Sequence, residues 1–264
     1  MIFITDLDKT FLRSDLSISK FSREIWNNFK YPLSVATARS YTGVKNLLKG
    51  LKLEFPLIVL DGAMVVDKDG NPIEIRSIDK KLANEIINEV YKKFKEFPLI
   101  VGFDEFEKEK FLYPKTPNKY QLELLRMYKN DSRVFMELKA LNHNLKMVYL
   151  GEKKLLEEIE KFVRNFGVET KLTKDAYMDC YFLTILHPLG DKANGLKVFE
   201  EIMDIEPKEV TVFGDSINDL GMFEYAGVSV AVKNALEEVK KKANVILDKT
   251  NDEDGVAYYL KEIK

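Results

Sequence analysis

The chain has 264 residues, and at roughly 150 residues per domain this length suits one large domain or two unequal ones. Hydrophobic residues make up 45% of it, which is enough to build a sizeable core and excludes wholesale disorder. The 41 basic and 43 acidic side chains nearly cancel to a net charge of -2, which argues against a nucleic-acid-binding protein held by a strong field.

Three further features narrow the class of protein. No apolar stretch reaches the roughly 18 residues that a membrane-spanning helix needs, so no membrane partner is expected. The first residues lack a basic segment and reach an acid at Asp6, so no signal peptide is expected either. A single cysteine, Cys180, excludes an internal disulfide framework and a thiolate zinc cluster. We therefore expect a cytoplasmic metabolic protein.

The first third of the chain alternates predicted strands with predicted helices. Continuous apolar runs predict strands at 2–5, 33–37 and 57–60, and apolar residues at helical spacing predict helices near 18–29 and 44–51. Ser17 is available as the N-cap of the first helix. Because the apolar runs are continuous, they predict a parallel sheet that is buried on both faces.

The pattern changes after residue 62. Residues 64–66 and 73–75 flank a turn at 67–70 and predict a hairpin. The following segment mixes predicted helices near 79–96, 118–129 and 152–166 with predicted strands near 133–138, 145–150, 168–173 and 179–186. Polar and apolar residues alternate at 145–149, which predicts that one face of this second sheet is solvated.

From residue 191 the first pattern returns. It predicts a helix at 191–203, strands at 210–213, 228–232 and 245–247, and helices near 234–243 and 253–262. We therefore predict an α/β fold with a doubly wound, Rossmann-like parallel sheet built from residues 1–78 and 187–264. Residues 79–186 form a predicted α+β domain that is inserted into this core.

Polar side chains follow the predicted core strands where each strand ends. Asp6 and Asp8 follow the first strand, Asp61 follows the third, and Asp215 and Asp219 follow the strand at 210–213. Ligands of open parallel sheets bind beyond the carboxyl ends of the strands. An apolar core would not hold carboxylates unpaired, so the sequence predicts a functional site at this edge.

The charges at this edge indicate a metal. The four carboxylates of Asp6, Asp8, Asp215 and Asp219 outweigh the positive charge of Lys192 and would repel a phosphate. Oxygen ligands without histidine or cysteine suit Mg²⁺, which commonly binds carboxylates together with a substrate phosphate. Mg²⁺ would nearly neutralise this excess. The electrostatics therefore predict a magnesium–phosphate site.

The spacing of Asp6 and Asp8 suggests a mechanism. Residues two apart in an extended segment point the same way, so both carboxylates can face one ligand while Leu7 turns into the sheet. An aspartate can attack phosphorus and form an aspartyl phosphate. A second carboxyl beside it can protonate the leaving alkoxide and then deprotonate the attacking water.

These motifs resemble the haloacid dehalogenase (HAD) superfamily of phosphatases, in the expected order along the chain. The first is Asp6-Leu7-Asp8-Lys9-Thr10, the second Thr37-Ala38-Arg39, the third Lys192, and the fourth Gly214-Asp215-Ser216-Ile217-Asn218-Asp219. The large insert and the segments 232–235 and 251–256 resemble the Cof-like sugar-phosphatase branch, whose α/β cap domain determines substrate specificity. An aspartate pair or a Gly-Asp-Ser turn alone would indicate only a helix cap or a solvated turn.

The resemblance implies a role for each motif residue. Asp6 would be the nucleophile and Asp8 the general acid and base. Thr37 and Lys192 would hold the phosphate or the nucleophile, and Ala38, Arg39 and Asn218 would contact the substrate. Asp6, the Asp8 main chain and Asp215 would bind Mg²⁺, with Ser216 and Asp219 supporting the metal site.

The sequence departs from the family pattern at three positions. Lys9 and Ala38 stand where glycine is usual, and Asp61 stands where asparagine commonly precedes Gly62. Ala38 could restrict the approach of the backbone to phosphate, and Asp61 could alter substrate preference. His143, His187 and Cys180 are expected to be structural.

We hypothesise a Mg²⁺-dependent phosphomonoester hydrolase acting on a small phosphorylated metabolite, a sugar phosphate, through an aspartyl-phosphate intermediate. A phosphotransferase or phosphosugar mutase would use the same intermediate, so the sequence does not separate it from a hydrolase. A non-catalytic sugar-phosphate binding module is the alternative of another class. Paired carboxylates count against it, since binding alone does not need them.

Overall fold

The computed structural model describes residues 1–105, 109–175 and 178–263, which divide into two compact units. The first unit combines Met1–Ile75 with Asp191–Lys264, and the second is Arg76–Gly190. The domain boundaries predicted from the sequence, at 78/79 and 186/187, lie a few residues inside the second unit.

Both units contain helices and strands. The first unit begins with β1 (Ile2–Thr5), α1 (Lys20–Asn28), β2 (Leu33–Val35), α2 (Tyr41–Leu47), β3 (Leu57–Val59), β4 (Met64–Val66) and β5 (Pro72–Ile75). The second unit contains α3 (Lys80–Phe94), β6 (Leu99–Phe103), β7 (Lys110–Leu112), α4 (Lys119–Met127), β8 (Val134–Phe135), β9 (His143–Gly151), α5 (Lys153–Val163), β10 (Glu169–Lys174) and β11 (Tyr181–Leu186). The chain returns to the first unit with α6 (Lys192–Met203), β12 (Val210–Gly214), α7 (Leu220–Tyr225), β13 (Val228–Ala231), α8 (Glu237–Lys240), β14 (Val245–Ile246) and α9 (Gly255–Glu262).

The central sheet of the first unit is parallel, as predicted. Its strand order is β14-β13-β12-β1-β2, and every neighbouring pair runs parallel. A parallel bridge between Ala36 and Ile58 brings β3 alongside β2. Strands β3, β4 and β5 pair antiparallel, which confirms the predicted hairpin.

Strand β1 lies inside this sheet, between β2, which follows it in sequence, and β12, which comes much later in the chain. Its residues Ile2, Phe3 and Ile4 are at most 1% exposed, so side chains on both faces of the strand are buried. The carboxyl ends of β1, β2 and β12 therefore meet at one edge, where such sheets bind their ligands.

Two local predictions in this unit are wrong. The N-cap of α1 is Ser19, whose side chain accepts a hydrogen bond from the Ser22 amide, and not Ser17. The amide of Ser17 instead donates to the Asp15 side chain at 2.9 Å, inside a turn that delays the start of the helix. Helix α8 is shorter than the predicted 234–243, because residue 234 belongs to a loop with side-chain contacts of its own.

The second unit is built on a six-stranded sheet of order β10-β11-β9-β6-β7-β8, in which β7 and β8 run parallel and the other described pairs of neighbours run antiparallel. The predicted solvated face of β9 is wrong. Met147 and Tyr149 pack with residues of α3 and α5, whereas Val148 and Leu150 pack on the other side near α4. Even Lys146 is only 8% exposed, because helices cover both faces. Among the described residues, no helix combines the length and apolar character needed to cross a membrane.

Candidate active site

The site begins where β1 ends. The amide of Asp6 donates to the Phe213 carbonyl of β12 at 3.0 Å, which continues the parallel ladder by one residue. The chain then leaves the sheet through a wide turn that is closed by the Leu12 amide and the Leu7 carbonyl at 2.8 Å. Leu7 is fully buried and Asp6 is 5% exposed, so the turn anchors its apolar side chain and leaves the Asp6 carboxylate at the edge of the sheet.

Lys192 is the buried cation of the site. It is the first residue of α6, after the N-cap Asp191, whose side chain accepts a hydrogen bond from the Asn194 amide at 2.7 Å. The Lys192 Nζ lies 2.6 Å from Asp6 Oδ1 and 2.7 Å from Asp219 Oδ1, and the residue is 1% exposed. Burial disfavours the charged lysine, but the carboxylates of Asp219 and Asp6 outweigh it and raise its pKa, so the ammonium stays protonated.

Asp219 organises the loop that follows β12. Its Oδ2 accepts hydrogen bonds from the amides of Asp215 at 3.0 Å and Ser216 at 3.1 Å, while its Oδ1 accepts from Lys192. Gly214 permits this arrangement, since a Cβ there would lie 2.6 Å from the Asp219 side chain. Asp219 is fully buried, and its carboxylate fixes both the loop and the lysine.

Asp215 completes an acidic cluster with Asp6 and Asp219. One carboxylate oxygen of each residue lies within 4.8 Å of the others. The Thr10 hydroxyl donates to Asp215 Oδ1 at 3.1 Å and ties this side chain to the turn after β1. Burial, followed by the charge of Asp219, raises the pKa of Asp215 to about 7, and burial also raises the pKa of Asp6 well above its ordinary value.

Three clustered carboxylates and one ammonium leave an excess of negative charge when all are ionised, and this excess adds to burial in raising the pKa values of Asp6 and Asp215. Carboxylate oxygens of Asp6, Asp215 and Asp219 form the donor set, without histidine or cysteine, which suits a hard divalent cation such as Mg²⁺. A cation there would lower the pKa values of these acids by supplying the missing positive charge. The residues present therefore fit a magnesium site.

Asp8 lies beside this cluster and has its own partner. The Arg39 Nε donates to Asp8 Oδ2 at 2.7 Å, and the Arg39 Nη2 donates to Asp8 Oδ1. Both side chains are about a quarter exposed, at 25% for Arg39 and 29% for Asp8. A bidentate pair of this kind fixes the orientation of the carboxylate as well as its charge.

The second sequence motif follows β2 and is hydrogen-bonded to the end of β3. The Thr37 amide donates to the Ile58 carbonyl at 2.9 Å, and the Thr37 carbonyl accepts from the Asp61 amide at 2.9 Å. The Thr37 hydroxyl accepts from the Arg39 amide at 3.2 Å, so Ala38 lies inside a small turn. Thr37 is fully buried at the end of the strand, and this turn places Arg39 against Asp8.

The turn after β3 adds a further carboxylate to the site. Asp61 is 4% exposed, its Oδ1 accepts from Asn218 Nδ2 at 3.2 Å, and its charge helps to raise the pKa of Lys192. Asp61 has a φ of 59° and Gly62 a φ of 99°. A Cβ at Gly62 would lie 2.0 Å from the Asp191 carbonyl oxygen, so only glycine lets this turn approach the start of α6.

The structure thus brings most of the predicted site residues to one edge of the sheet. Asp6, Asp215, Asp219 and Lys192 are in direct contact or within a few ångströms, and Asp8 is paired with Arg39. Asn218 reaches Asp61, and the Ser216 hydroxyl donates to Asn218 Oδ1 at 2.5 Å.

Two contributors had been assigned no catalytic, binding or metal role from the sequence. They are the Thr10 hydroxyl on Asp215 and the buried Asp61 carboxylate, although both lie in motifs that the sequence had already singled out. His143, His187 and Cys180 all belong to the second unit.

Comparison with known proteins decides the family. Residues 3–260 match the haloacid dehalogenase-like hydrolase family. The chain belongs to this family. The phosphatase YwtE of Bacillus subtilis, named for 5-amino-6-(5-phospho-D-ribitylamino)uracil, is 25% identical over 280 residues, covering 98% of this chain and 96% of YwtE. A Schizosaccharomyces pombe protein named as an uncharacterized hydrolase is 28% identical over 279 residues, covering 99% of this chain and 90% of its own length.

Solved structures show the same architecture. The crystal structure of TM0651 from Thermotoga maritima is 28% identical, aligns with a TM-score of 0.79, and covers all of this chain and 97% of its own. A haloacid dehalogenase-like hydrolase from Bacillus subtilis is 21% identical with a TM-score of 0.80, and both chains are fully covered. These likenesses confirm the predicted fold class, and the family match confirms the predicted enzyme class, a HAD-like phosphatase.

Proposed function

We propose that this enzyme is a Mg²⁺-dependent phosphomonoester hydrolase that acts on a small phosphorylated metabolite, a sugar phosphate, through an aspartyl-phosphate intermediate. The observation that supports this most is the buried Lys192, which joins the Asp6 and Asp219 carboxylates beside Asp215. A buried lysine with more than one acidic neighbour suits a site that binds a cation together with a phosphoryl group.

In the proposed reaction, Asp6 is the nucleophile. A bond forms between an Asp6 carboxylate oxygen and phosphorus, and the bond between phosphorus and the ester oxygen breaks. The leaving alkoxide takes a proton from the Asp8 carboxyl and departs as the alcohol. Asp8 then removes a proton from water, whose oxygen attacks phosphorus and releases inorganic phosphate and free Asp6.

Lys192 holds the nucleophile in this scheme. Its contact of 2.6 Å with Asp6 Oδ1 fixes one carboxylate oxygen and leaves the other for attack. Asp6 and Asp215, with the Asp8 main chain, would hold Mg²⁺, and Ser216 and Asp219 would support them. The metal would supply positive charge to the phosphoryl oxygens when bound.

The substrate would contact residues of the second and fourth motifs. Thr37 and Ala38 follow β2, and their turn would direct backbone groups toward the phosphoryl oxygens. Arg39 would interact with the substrate as well as with Asp8, and Asn218 would contact the leaving group. These assignments follow the motif positions, and the inserted unit is proposed as the cap domain that selects the alcohol.

A relative supports a sugar or polyol phosphate as the substrate class. The name of YwtE describes a phosphate ester on the five-carbon ribityl chain of its substrate. An ester of this kind has a poor alkoxide leaving group, which needs the proton that Asp8 would supply. We therefore propose alkyl phosphates of sugars or polyols rather than aryl phosphates as natural substrates.

The deciding experiment compares the wild type with Asp6→Asn in a phosphatase assay that covers p-nitrophenyl phosphate and a panel of sugar phosphates. The wild type should release phosphate only with Mg²⁺, and Asp6→Asn should lose at least roughly 1,000-fold in kcat. Asp69→Asn, an exposed neighbour of Lys68, is the matched control and should keep full activity. Equal turnover by Asp6→Asn and the wild type would refute the nucleophile assignment. Release of phosphate without oxygen from labelled water would refute hydrolysis.

A further inference from the structure

A hydrogen-bonded network in the first unit connects the turn after β1 to two segments near the end of the chain. The Asn234 Nδ2 donates to the Lys9 carbonyl at 2.8 Å. The Asn234 Oδ1 accepts from the Asn251 amide at 2.9 Å, and the Asn251 Nδ2 donates to the Leu12 carbonyl at 2.9 Å. Two side chains thus bind the middle and the end of the turn that carries Asp8.

The same late segment also binds the residues just after the turn. Asp252 accepts from the Ser14 amide at 2.8 Å and from the Ser14 hydroxyl at 2.7 Å. Asp254 accepts from Arg13 Nη2 at 2.8 Å and from Arg13 Nε at 3.3 Å. These contacts hold residues 13 and 14 in place, whereas Asn234 binds a main-chain carbonyl in the middle of the turn.

Lys9 is the residue that most needs an external partner. Its φ of 57° lies in the left-handed region, which a side chain with a Cβ rarely adopts. Asp8 precedes it and Thr10, whose hydroxyl binds Asp215, follows it. A rotation of the peptide after Lys9 would therefore move both neighbours, and the Asn234 bond opposes that rotation.

We propose that Asn234 is a positioning residue of the phosphoryl-transfer site, with Asn251 as its support. By holding the Lys9 carbonyl, Asn234 keeps the turn in the conformation that aims the Asp8 carboxyl at the leaving-group oxygen. Asn234 itself is exposed to solvent and contributes little apolar burial, so its main contacts are these two hydrogen bonds. This inference rests on the proposed function, since it assigns Asp8 the transfer of a proton.

The variant Asn234→Asp tests the proposal, because it preserves shape but replaces the donor with an acceptor that repels the Lys9 carbonyl. Proton donation matters for a poor leaving group such as a sugar alkoxide, and much less for p-nitrophenolate. Since kcat/KM reports steps up to departure of the alcohol, it isolates this role from hydrolysis of the aspartyl phosphate. We expect kcat/KM to fall by ~10-fold or more for the sugar phosphate that the wild type hydrolyses fastest. For p-nitrophenyl phosphate it should fall by no more than ~3-fold.

Asn27 provides a matched control in the same unit. Its Nδ2 donates to the Gly50 carbonyl at 3.0 Å and its Oδ1 accepts from the Lys52 amide at 2.9 Å, which repeats the bonding pattern of Asn234 away from the site. Asn27→Asp should change neither kcat/KM nor the ratio between the two substrates. Asn234→Ser removes the bond without adding charge and should reproduce the effect of Asn234→Asp.

The outcomes separate this inference from the proposed function. If the wild type hydrolyses both esters and the Asn234 variants lower kcat/KM equally for both, or not at all, the positioning role is refuted while the proposed function stands. A wild type that hydrolyses neither ester refutes both. A selective loss on the sugar phosphate in Asn234→Asp and Asn234→Ser, absent from Asn27→Asp, establishes the positioning role.

Discussion

The sheets of the two units are both covered by apolar side chains on both faces, yet among the described residues only the first sheet brings three acids within reach of one ion at its edge. In the first unit the strands run parallel, so the carboxyl ends of β1, β2 and β12 bring their following residues together. In the second unit most neighbouring strands run antiparallel, and their carboxyl ends alternate between opposite edges. Strand direction therefore decides whether polar loop residues of distant sequence meet.

One buried polar group from each unit illustrates a further difference. In the second unit, Asn144 binds the carbonyls of Ile78 and Leu141 at 3.0 and 2.8 Å, a neutral arrangement of donors and acceptors. In the first unit, Lys192 faces more carboxylates than it neutralises. Satisfied polar groups stabilise a fold, whereas uncompensated ones indicate a site for a charged ligand.

The largest expected effect comes from removing the buried cation. Lys192→Met should lower the free energy of unfolding by about 4 kcal/mol, because it leaves Asp6 and Asp219 buried without their partner. It should also abolish phosphatase activity. Urea unfolding measures the first effect. Lys197→Met, an exposed lysine on the same helix, should leave stability nearly unchanged, and an equal loss in both variants would contradict the role of the ion pair.

Truncation of a buried apolar side chain in the second unit should lower the free energy of unfolding by a somewhat smaller amount. Leu183 is fully buried in the cluster between β11 and the helices α3 and α5, so Leu183→Ala should lower the free energy of unfolding by about 3 kcal/mol. The exposed Leu189, at 51% exposure, provides the control Leu189→Ala. Similar urea midpoints for the two variants would contradict the packing described for this sheet.

Removing one acid from the cluster should raise the free energy of unfolding, where the previous two substitutions lower it. Asp215→Asn should raise the free energy of unfolding by roughly 2 kcal/mol at pH 8 in EDTA, because burial and Asp219 disfavour the Asp215 carboxylate. The stabilisation that Mg²⁺ gives the wild type should shrink in this variant, as thermal unfolding with and without Mg²⁺ would show. An Asp215→Asn protein less stable than the metal-free wild type would contradict this charge excess.

The smallest expected effect concerns the reactivity of the Cys180 thiol in the second unit. Burial raises the pKa of the Cys180 thiol to about 11, so the thiolate is scarce at pH 8. Alkylation by iodoacetamide should be roughly 100-fold slower than for the same chain in guanidinium chloride, and its rate should rise as the pH approaches 11. Mass spectrometry after timed quenching measures this, and equally fast labelling of folded and unfolded chains would show that Cys180 is accessible.

Features of the fold and the site that depend on residue type and order could be predicted from the sequence. The motif order and the continuous apolar strands predicted the parallel sheet and the residues at its edge. Patterning failed at β9, where alternation suggested a solvated face, because it does not record that α4 covers the side opposite α3 and α5. The sequence pattern also did not predict the ion pair between Asp8 and Arg39, because this contact depends on the turn at Thr37.

The order of assembly follows from where the acids and the lysine lie in the chain. Asp6 and Lys192 are separated by 186 positions, and Thr10 meets Asp215 across 205. On the ribosome, Asp6 is therefore synthesised first but acquires its partners only after α6 and β12 have emerged. Every residue of the second unit is made before then, so that unit can fold before the acidic edge of the first sheet is complete.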